Sequence, residues 1–152
     1  MRANHRTGAA LLAAVALALG AAGCGGGDKL EGSVGNSLNL DFDHVNIALQ
    51  NGQYLIVEYV SASGECVAEL TVDTFIPGCE ITPDQELDFG TCAFLDRTTL
   101  DSTEFAPVTM GMVTLFQYGS VGDRISGTFS VLFDNGLGLT GDFGGTLEER
   151  NG

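Results

Sequence analysis

Apolar and polar residues alternate with a period of two along the C-terminal part of the chain. Over residues 124–148, four apolar side chains share one face before the Asp-Asn-Gly turn at 134–136, and four more continue that face after it. This alternation is typical of a strand with one buried face, and an Asn-Gly pair favours a tight hairpin turn. The pattern therefore predicts an antiparallel hairpin with one apolar and one polar side.

The first strand signal in the chain changes parity part-way. Apolar residues share one parity over 38–42 and the other over 45–49. Because a shift of one residue turns every side chain to the opposite face of a sheet, we expect a bulge or bend at Asp43 and His44.

Three further segments carry strand patterns. An Asn-Gly pair at 51–52 predicts a hairpin turn into a strand over 54–60, and alternation resumes over 66–73. Residues 108–118 are apolar on both faces, which predicts a central strand. Residues 74–107 give the weakest pattern, interpreted as one strand around 87–94 with loops on either side.

The elements together predict an all-β fold. About seven to nine short strands, with no amphipathic helix after residue 24, indicate either an antiparallel β-sandwich or a small up-and-down β-barrel. The expected core contains Leu40, Phe42, Ile47, Val57, Leu70, Phe116, Phe129, Phe133 and Phe143.

The N-terminus has the features of an export signal. Arg2 and Arg6 are followed over residues 8–23 by an unbroken run of small and apolar residues. A basic segment followed by a short apolar one is typical of a secretory signal helix. A transmembrane helix is the alternative, but it needs about 20 apolar residues, more than this Ala-rich run provides.

The end of this run, Ala21-Ala22-Gly23-Cys24, resembles the lipobox of bacterial lipoprotein precursors. The resemblance implies that residues 1–23 are removed and that Cys24 becomes the lipid-modified first residue. Gly25, in place of the Asp that signals inner-membrane retention in that family, points to the outer membrane. The domain organisation expected is a signal peptide over 1–23, a lipidated Cys and Gly-rich tether over 24–36, and one all-β domain over 37–152.

The charge of the chain is strongly negative. It has 20 acidic and six basic residues, and removal of residues 1–23 leaves four basic residues and a net charge of −16. This charge excludes attraction to nucleic-acid phosphates and opposes contact with anionic lipid headgroups. Membrane attachment is therefore expected through the acyl chains on Cys24, with any protein or small-ligand partner unknown.

Three cysteines remain once Cys24 is assigned to the lipid. Cys66 lies on the apolar parity of its strand, so we interpret it as a buried free thiol. Cys79 and Cys92 are the candidate disulfide, with Cys66–Cys92 and Cys66–Cys79 as the other possible pairings. No metal site is expected, because no Cys-x-x-Cys spacing is present.

The acidic residues and the histidine give little indication of chemistry. Glu80, Asp84, Glu86 and Asp88 form a carboxylate cluster without the spacing of a calcium loop, so we interpret them as solvated surface, with a weak calcium site as the alternative. His44 is the one histidine after residue 24, and no Gly-x-Ser-x-Gly motif accompanies it. No phosphate loop or other cofactor motif is found. We therefore expect no catalytic residues and no enzyme activity.

Three hypotheses of function follow. The first is a membrane-anchored lipoprotein whose noncatalytic β-domain serves as an envelope accessory or interaction module. The second is a carrier of a small apolar ligand with a lipocalin-like barrel, which would need a pocket lined by Phe116, Phe129 and Phe143. The third is a carboxylate-based hydrolase, which needs two converging acids, one of them with a raised pKa.

Overall fold

The computed structural model describes residues 27–152, which form ten β-strands and one short 3-10 helix at Ser33–Asn36. The signal-peptide and lipid-attachment predictions for residues 1–24 lie outside this range. The strands are β1 (Lys29–Glu31), β2 (His44–Gln50), β3 (Tyr54–Val60), β4 (Cys66–Asp73), β5 (Glu86–Asp88), β6 (Ala93–Thr98), β7 (Val108–Gln117), β8 (Arg124–Phe133), β9 (Gly138–Thr146) and β10 (Glu148–Arg150).

The strands form two five-stranded sheets. The first sheet has the order β1-β9-β8-β7-β5, and the second has the order β10-β2-β3-β4-β6. The chain passes from one sheet to the other at Leu147, which is buried between β9 and β10. The fold is therefore a β-sandwich, one of the two predicted architectures, and not a closed barrel. The structure has more strands than the seven to nine predicted because β1, β5 and β10 are only three residues long, too short to produce an alternating pattern.

The two predicted hairpins are confirmed. Strands β8 and β9 pair in antiparallel register around the turn at 134–136, and β2 pairs with β3 around Asn51-Gly52. Asn51 and Gly52 both have positive φ angles, 53° and 68°, which the tight turn requires.

The core lies between the sheets and contains most of the expected residues. Six of them are at most 3% exposed: Ile47, Val57, Leu70, Phe129, Phe133 and Phe143. Leu40 and Phe42 are partly buried and pack against this core. Phe116 is 56% exposed, because it lies on the outward face of β7 while its neighbour Leu115 faces inward.

Strand β7 lies between β8 and β5 in its sheet, as predicted for a central strand, but only one of its faces is buried. It pairs with β8 along its length and with β5 over residues 112–114, and no second layer formed by residues 27–152 covers its outer face. Met110 and Met112 are consequently exposed. The apolar residues on both faces of β7 suggested that both faces would be buried, but the sandwich buries only the face that points toward the other sheet.

The predicted tether is shorter in the structure. Residues 29–31 form β1, which pairs with β9, and Val34 is 3% exposed within the core. The Gly-rich composition suggested a flexible linker to residue 36, but β9 has a free edge that β1 completes.

Two other local predictions need correction. The parity change near Asp43 reflects the start of β2 at His44, since residues 38–42 form no strand although Phe42 packs edge-on against Tyr59. The single strand expected around 87–94 is divided between β5 and β6, which belong to opposite sheets. Gly90 lies between them with a φ of 85°, a conformation that favours glycine and reverses the chain.

Candidate functional site: a polar cleft at one end of the sandwich

A disulfide links Cys79 to Cys92, the first of the pairings considered from the sequence. The two Cα atoms are 5.3 Å apart, and both side chains are buried. The bond attaches the loop before β5 to the start of β6. Cross-linking of a loop of this size stabilises a fold by about 3 kcal/mol in the chain-entropy account.

The Cys66 thiol is free, but it is half-buried rather than buried in the core. Tyr59 pairs with Ala68 and Val60 pairs with Cys66, so Val67 is an extra residue at a bulge in β4. The bulge turns Cys66 to the outer face beside Val60, opposite to the parity inferred from the sequence.

Burial, and then the carboxylates of Glu69 and Glu58, raise the pKa of Cys66 to about 11. The thiol is therefore protonated at neutral pH and is a weak nucleophile.

The acidic residues between the disulfide cysteines do not come together to form a site. Glu80, Asp84, Glu86 and Asp88 are all exposed, and no three metal-ligating side chains come together in the part of the chain that the structure describes. His44 is also exposed, with its Nδ1 atom 3.0 Å from Oδ2 of Asp43.

A cleft of about 540 Å³ lies at the end of the sandwich where β3 leads into β4. Three segments form its walls: 39–43 before β2, 61–67 across the β3–β4 loop, and 97–101 at the end of β6. We call it the end cleft. It is lined by Asn39, Asp41, Phe42, Asp43, Ser61, Ala62, Ser63, Glu65, Val67, Arg97, Thr99, Leu100 and Asp101.

Arg97 is the buried charge of the end cleft, at 9% exposure. Its Nη1 atom donates to the carbonyl oxygens of Asn39 and Val67, both at 2.9 Å, and its Nε atom donates to Oγ1 of Thr103 at 3.1 Å. The guanidinium carbon also lies 5.9 Å from the centre of the Phe105 ring. These contacts fix the side chain from four directions.

The guanidinium of Arg97 is held by neutral groups alone. No carboxylate among residues 27–152 lies within 4.0 Å of it, and no acceptor there bonds its Nη2 atom. Burial of a charge without an ionic partner is costly, and proteins usually compensate for it with a salt bridge. Arg97 therefore retains hydrogen-bonding capacity on a rigid side chain.

Two carboxylates of the end cleft serve to order its loops. Oε1 of Glu65 accepts a hydrogen bond from the backbone N–H of Leu100 at 2.7 Å, and Oε2 accepts one from Ser63 at 2.6 Å. The Ser63 hydroxyl contributes most to lowering the pKa of Glu65. This carboxylate joins the β3–β4 loop to the segment that follows β6.

Asp101 orders its own loop in a similar way. Its Oδ1 atom accepts hydrogen bonds from the hydroxyl of Thr99 and from the backbone N–H and hydroxyl of Thr103. These bonds, with that of Thr99 the strongest, lower the pKa of Asp101 to about 2. Both ordered carboxylates, Glu65 and Asp101, are therefore ionised at neutral pH.

The aromatic pocket considered for an apolar ligand does not form from the three expected residues. Phe129 and Phe143 are in the closely packed core, whereas Phe116 points to solvent from the outer face. Arg97 is not among the site residues predicted from the sequence. Its signal was its position on the same parity of β6 as Ala93 and Leu95, an unusual place for one of the chain's six basic residues.

The fold and the cleft define a two-sheet β-sandwich with an ordered polar cleft at one end. Comparison of the chain with protein-family models, with curated protein sequences and with solved structures gives no match. Among residues 27–152, no helix has the length and apolar character needed to cross a membrane.

Proposed function

We propose that this chain is a bacterial lipoprotein anchored through Cys24, in the outer membrane, whose β-sandwich is a noncatalytic binding module with the end cleft as its binding site. The observation that carries the binding assignment is Arg97, which is 9% exposed, has no carboxylate of residues 27–152 within salt-bridge distance and lines an open cleft.

The short connection to the anchor supports this arrangement. Only residues 25–28 separate Cys24 from the start of β1 at Lys29, and Asp28 already accepts a hydrogen bond from the N–H of Gly144 at 2.8 Å. Five extended Cα steps span at most about 17 Å. The sandwich is therefore held close to the bilayer, and its orientation decides what faces outward.

The register indicates that the chain enters the sandwich at a distance from the end cleft. A Cβ atom at Gly145 would lie 3.3 Å from Ile47, and the Tyr59 hydroxyl bonds the carbonyl of Asp142 at 2.9 Å. Tyr59 pairs with Val45, so Val45 lies near residue 142 of β9 while Ile47 lies near residue 145. The cleft is beyond His44, at the start of β2. The direction along β9 that leads toward the cleft is therefore from residue 145 to residue 138. β1 is entered beside Gly144 and runs from there toward residue 138, so the chain enters at a distance from the cleft and approaches the cleft end along β1.

The protonation states in the cleft favour binding over hydrolysis. A carboxylate-based hydrolase needs one acid that stays protonated near neutral pH, which requires a raised pKa. Hydrogen bonds instead lower the pKa of both Glu65 and Asp101. His44 is exposed and paired with Asp43, and no hydroxyl or thiol in the described part of the chain is hydrogen-bonded to it.

The anchor is tested by the intact mass of protein extracted from bacterial membranes. We expect a chain that begins at Cys24 and carries a diacyl or triacyl adduct in the wild type, and no adduct in Cys24→Ala. Cys66→Ala is the matched control, because it removes another free thiol and should keep the lipid. An unmodified wild-type mass, or a chain that retains residues 1–23, would overturn the lipoprotein assignment.

A further inference from the structure

We propose that the end cleft binds a neutral saccharide, with Arg97 and Asp41 contacting its hydroxyl groups and Leu100 packing against a face of the sugar ring. This inference rests on the proposed function, because it assumes that the end cleft is a binding site. Four features of the cleft lead to it: a rigid donor, available acceptors, a charge balance that disfavours ions, and an ordered apolar residue.

The donor is Arg97. Its Nε and Nη1 atoms are occupied by Thr103, Asn39 and Val67, which leaves the N–H groups of Nη2 available. Because these three contacts fix the guanidinium before any ligand arrives, little side-chain entropy is lost when a ligand binds.

The acceptors come from the segment 39–43 of the cleft. Asp41 is exposed, and no side chain or N–H among residues 27–152 bonds its carboxylate. The carboxylate of Asp43 bonds His44 alone among the same residues. The hydroxyls of Ser61 and Ser63 are bonded to each other and to Glu65, so they add acceptor lone pairs and no free donor. A saccharide hydroxyl donates and accepts at once, so it can bridge a guanidinium and a carboxylate across one cleft.

The charge balance disfavours an ionic ligand. Asp41, Asp43, Glu65 and Asp101 surround a single Arg97, and the part of the chain from residue 24 has a net charge of −16, so an anion is repelled as it approaches. A cation would be attracted to the rim but would meet the guanidinium inside. A neutral polyhydroxylated ligand avoids both costs and still uses the charged groups as strong hydrogen-bonding partners.

The apolar contact is Leu100. Its side chain is 87% exposed at the rim of the cleft, yet its backbone N–H is bound by Glu65 at 2.7 Å. The backbone of Leu100 is thus fixed, and its exposed side chain is the apolar surface against which the C–H face of a sugar ring packs in this proposal. Phe42 and Ala62 extend this surface along the cleft.

The test uses the full lipidated protein in detergent micelles, titrated by calorimetry with neutral oligosaccharides of glucose, mannose and N-acetylglucosamine. We expect at least one to bind. Asp41→Asn and Leu100→Ser should each weaken binding by about tenfold or more, the effect of losing a hydrogen bond to a charged group or one apolar contact. Both positions are exposed, so neither variant threatens the fold.

The control variant is Glu149→Gln, which removes an exposed carboxylate from β10, outside the cleft, and should leave binding unchanged. Failure of every neutral sugar to bind up to about 10 mM would overturn the saccharide proposal. Tighter binding of an oligouronate than of any neutral sugar would also overturn it. So would a sugar affinity that is the same in wild type, Asp41→Asn and Leu100→Ser. These failures are distinct from failure of the anchor, which the intact mass reports independently of any ligand.

Discussion

The ring of Phe143 on β9 occupies the space beside Gly127, its cross-strand partner on β8. A Cβ atom at Gly127 would lie 2.6 Å from Cζ of Phe143 and 2.7 Å from the carbonyl oxygen of Thr114. The same relation recurs two pairs along, where the Phe129 ring covers Gly141. Glycine is therefore required here for packing, because the aromatic rings fill the sites that side chains would occupy.

Replacement of this glycine should destabilise the core. Gly127→Ala forces a methyl group against both an aromatic ring and a backbone oxygen, and we expect a loss of roughly 1–3 kcal/mol in the free energy of unfolding. Gly144→Ala on β9 is the matched control, because its Cβ would lie no closer than 3.7 Å to any neighbour. Urea denaturation measures both, and equal stabilities for the two variants would contradict the packing argument.

The Cys79–Cys92 disulfide should contribute more to the free energy of unfolding than the free thiol of Cys66 does. The double variant Cys79→Ala with Cys92→Ala is expected to lose about 2–4 kcal/mol in unfolding free energy. Cys66→Ala should change it by less, since that thiol is unpaired and half-buried. Thermal denaturation in the absence of reductant distinguishes the two, and a wild type insensitive to reduction would argue against this bond.

The Arg150–Glu58 ion pair should make stability depend on pH. Two hydrogen bonds of 2.9 and 2.7 Å join these side chains, and the bonds from Arg150 lower the pKa of Glu58. A lowered folded pKa means that the pair stabilises the fold above the unfolded value of about 4.3, and that this contribution is lost as pH falls through the folded pKa.

The variant Arg150→Gln should accordingly be less stable than wild type at pH 7, by about 1 kcal/mol, because both groups are partly exposed. In acid below the folded pKa of Glu58, where the carboxyl is protonated in the unfolded and folded chains, the difference should become small. Urea titrations at the two pH values measure it, and a difference that does not shrink in acid would contradict the ionic origin.

Glu69 should have the opposite effect on stability. It pairs directly with Glu58 on one side and with Asp96 on the other, and burial, followed by these two charges, raises its pKa. A raised folded pKa means that ionised Glu69 costs stability above that pKa, and that stability is gained as pH falls through it. Like charges directly opposite one another across strands account for part of this cost.

We therefore expect Glu69→Gln to stabilise the protein at pH 7 by about 0.5–1 kcal/mol. The gain should diminish as the pH approaches 4, since wild-type Glu69 then becomes protonated. Glu149→Gln, at an exposed position on β10, is the control and should have little effect. A loss of stability in Glu69→Gln at neutral pH would show that the carboxylate has a structural partner instead.

Local patterns in the sequence were sufficient for the hairpins and for the alternation of the core. The strands on either side of residues 134–136 and of Asn51-Gly52 are close in sequence, so turn chemistry and parity define their register. The same reasoning predicted an all-β chain and the burial of Phe129 and Phe133.

Features that depend on contacts between distant parts of the chain were decided by the tertiary structure alone. The bulge at Val67 reverses the side of the sheet on which Cys66 lies, and it is defined by pairing with β3. Arg97 acquires its neutral partners from Asn39 and Val67, which are 58 and 30 residues away. Alternation records which side chains are buried, but not which sheet they meet, so the sandwich and its end cleft required the long-range contacts themselves.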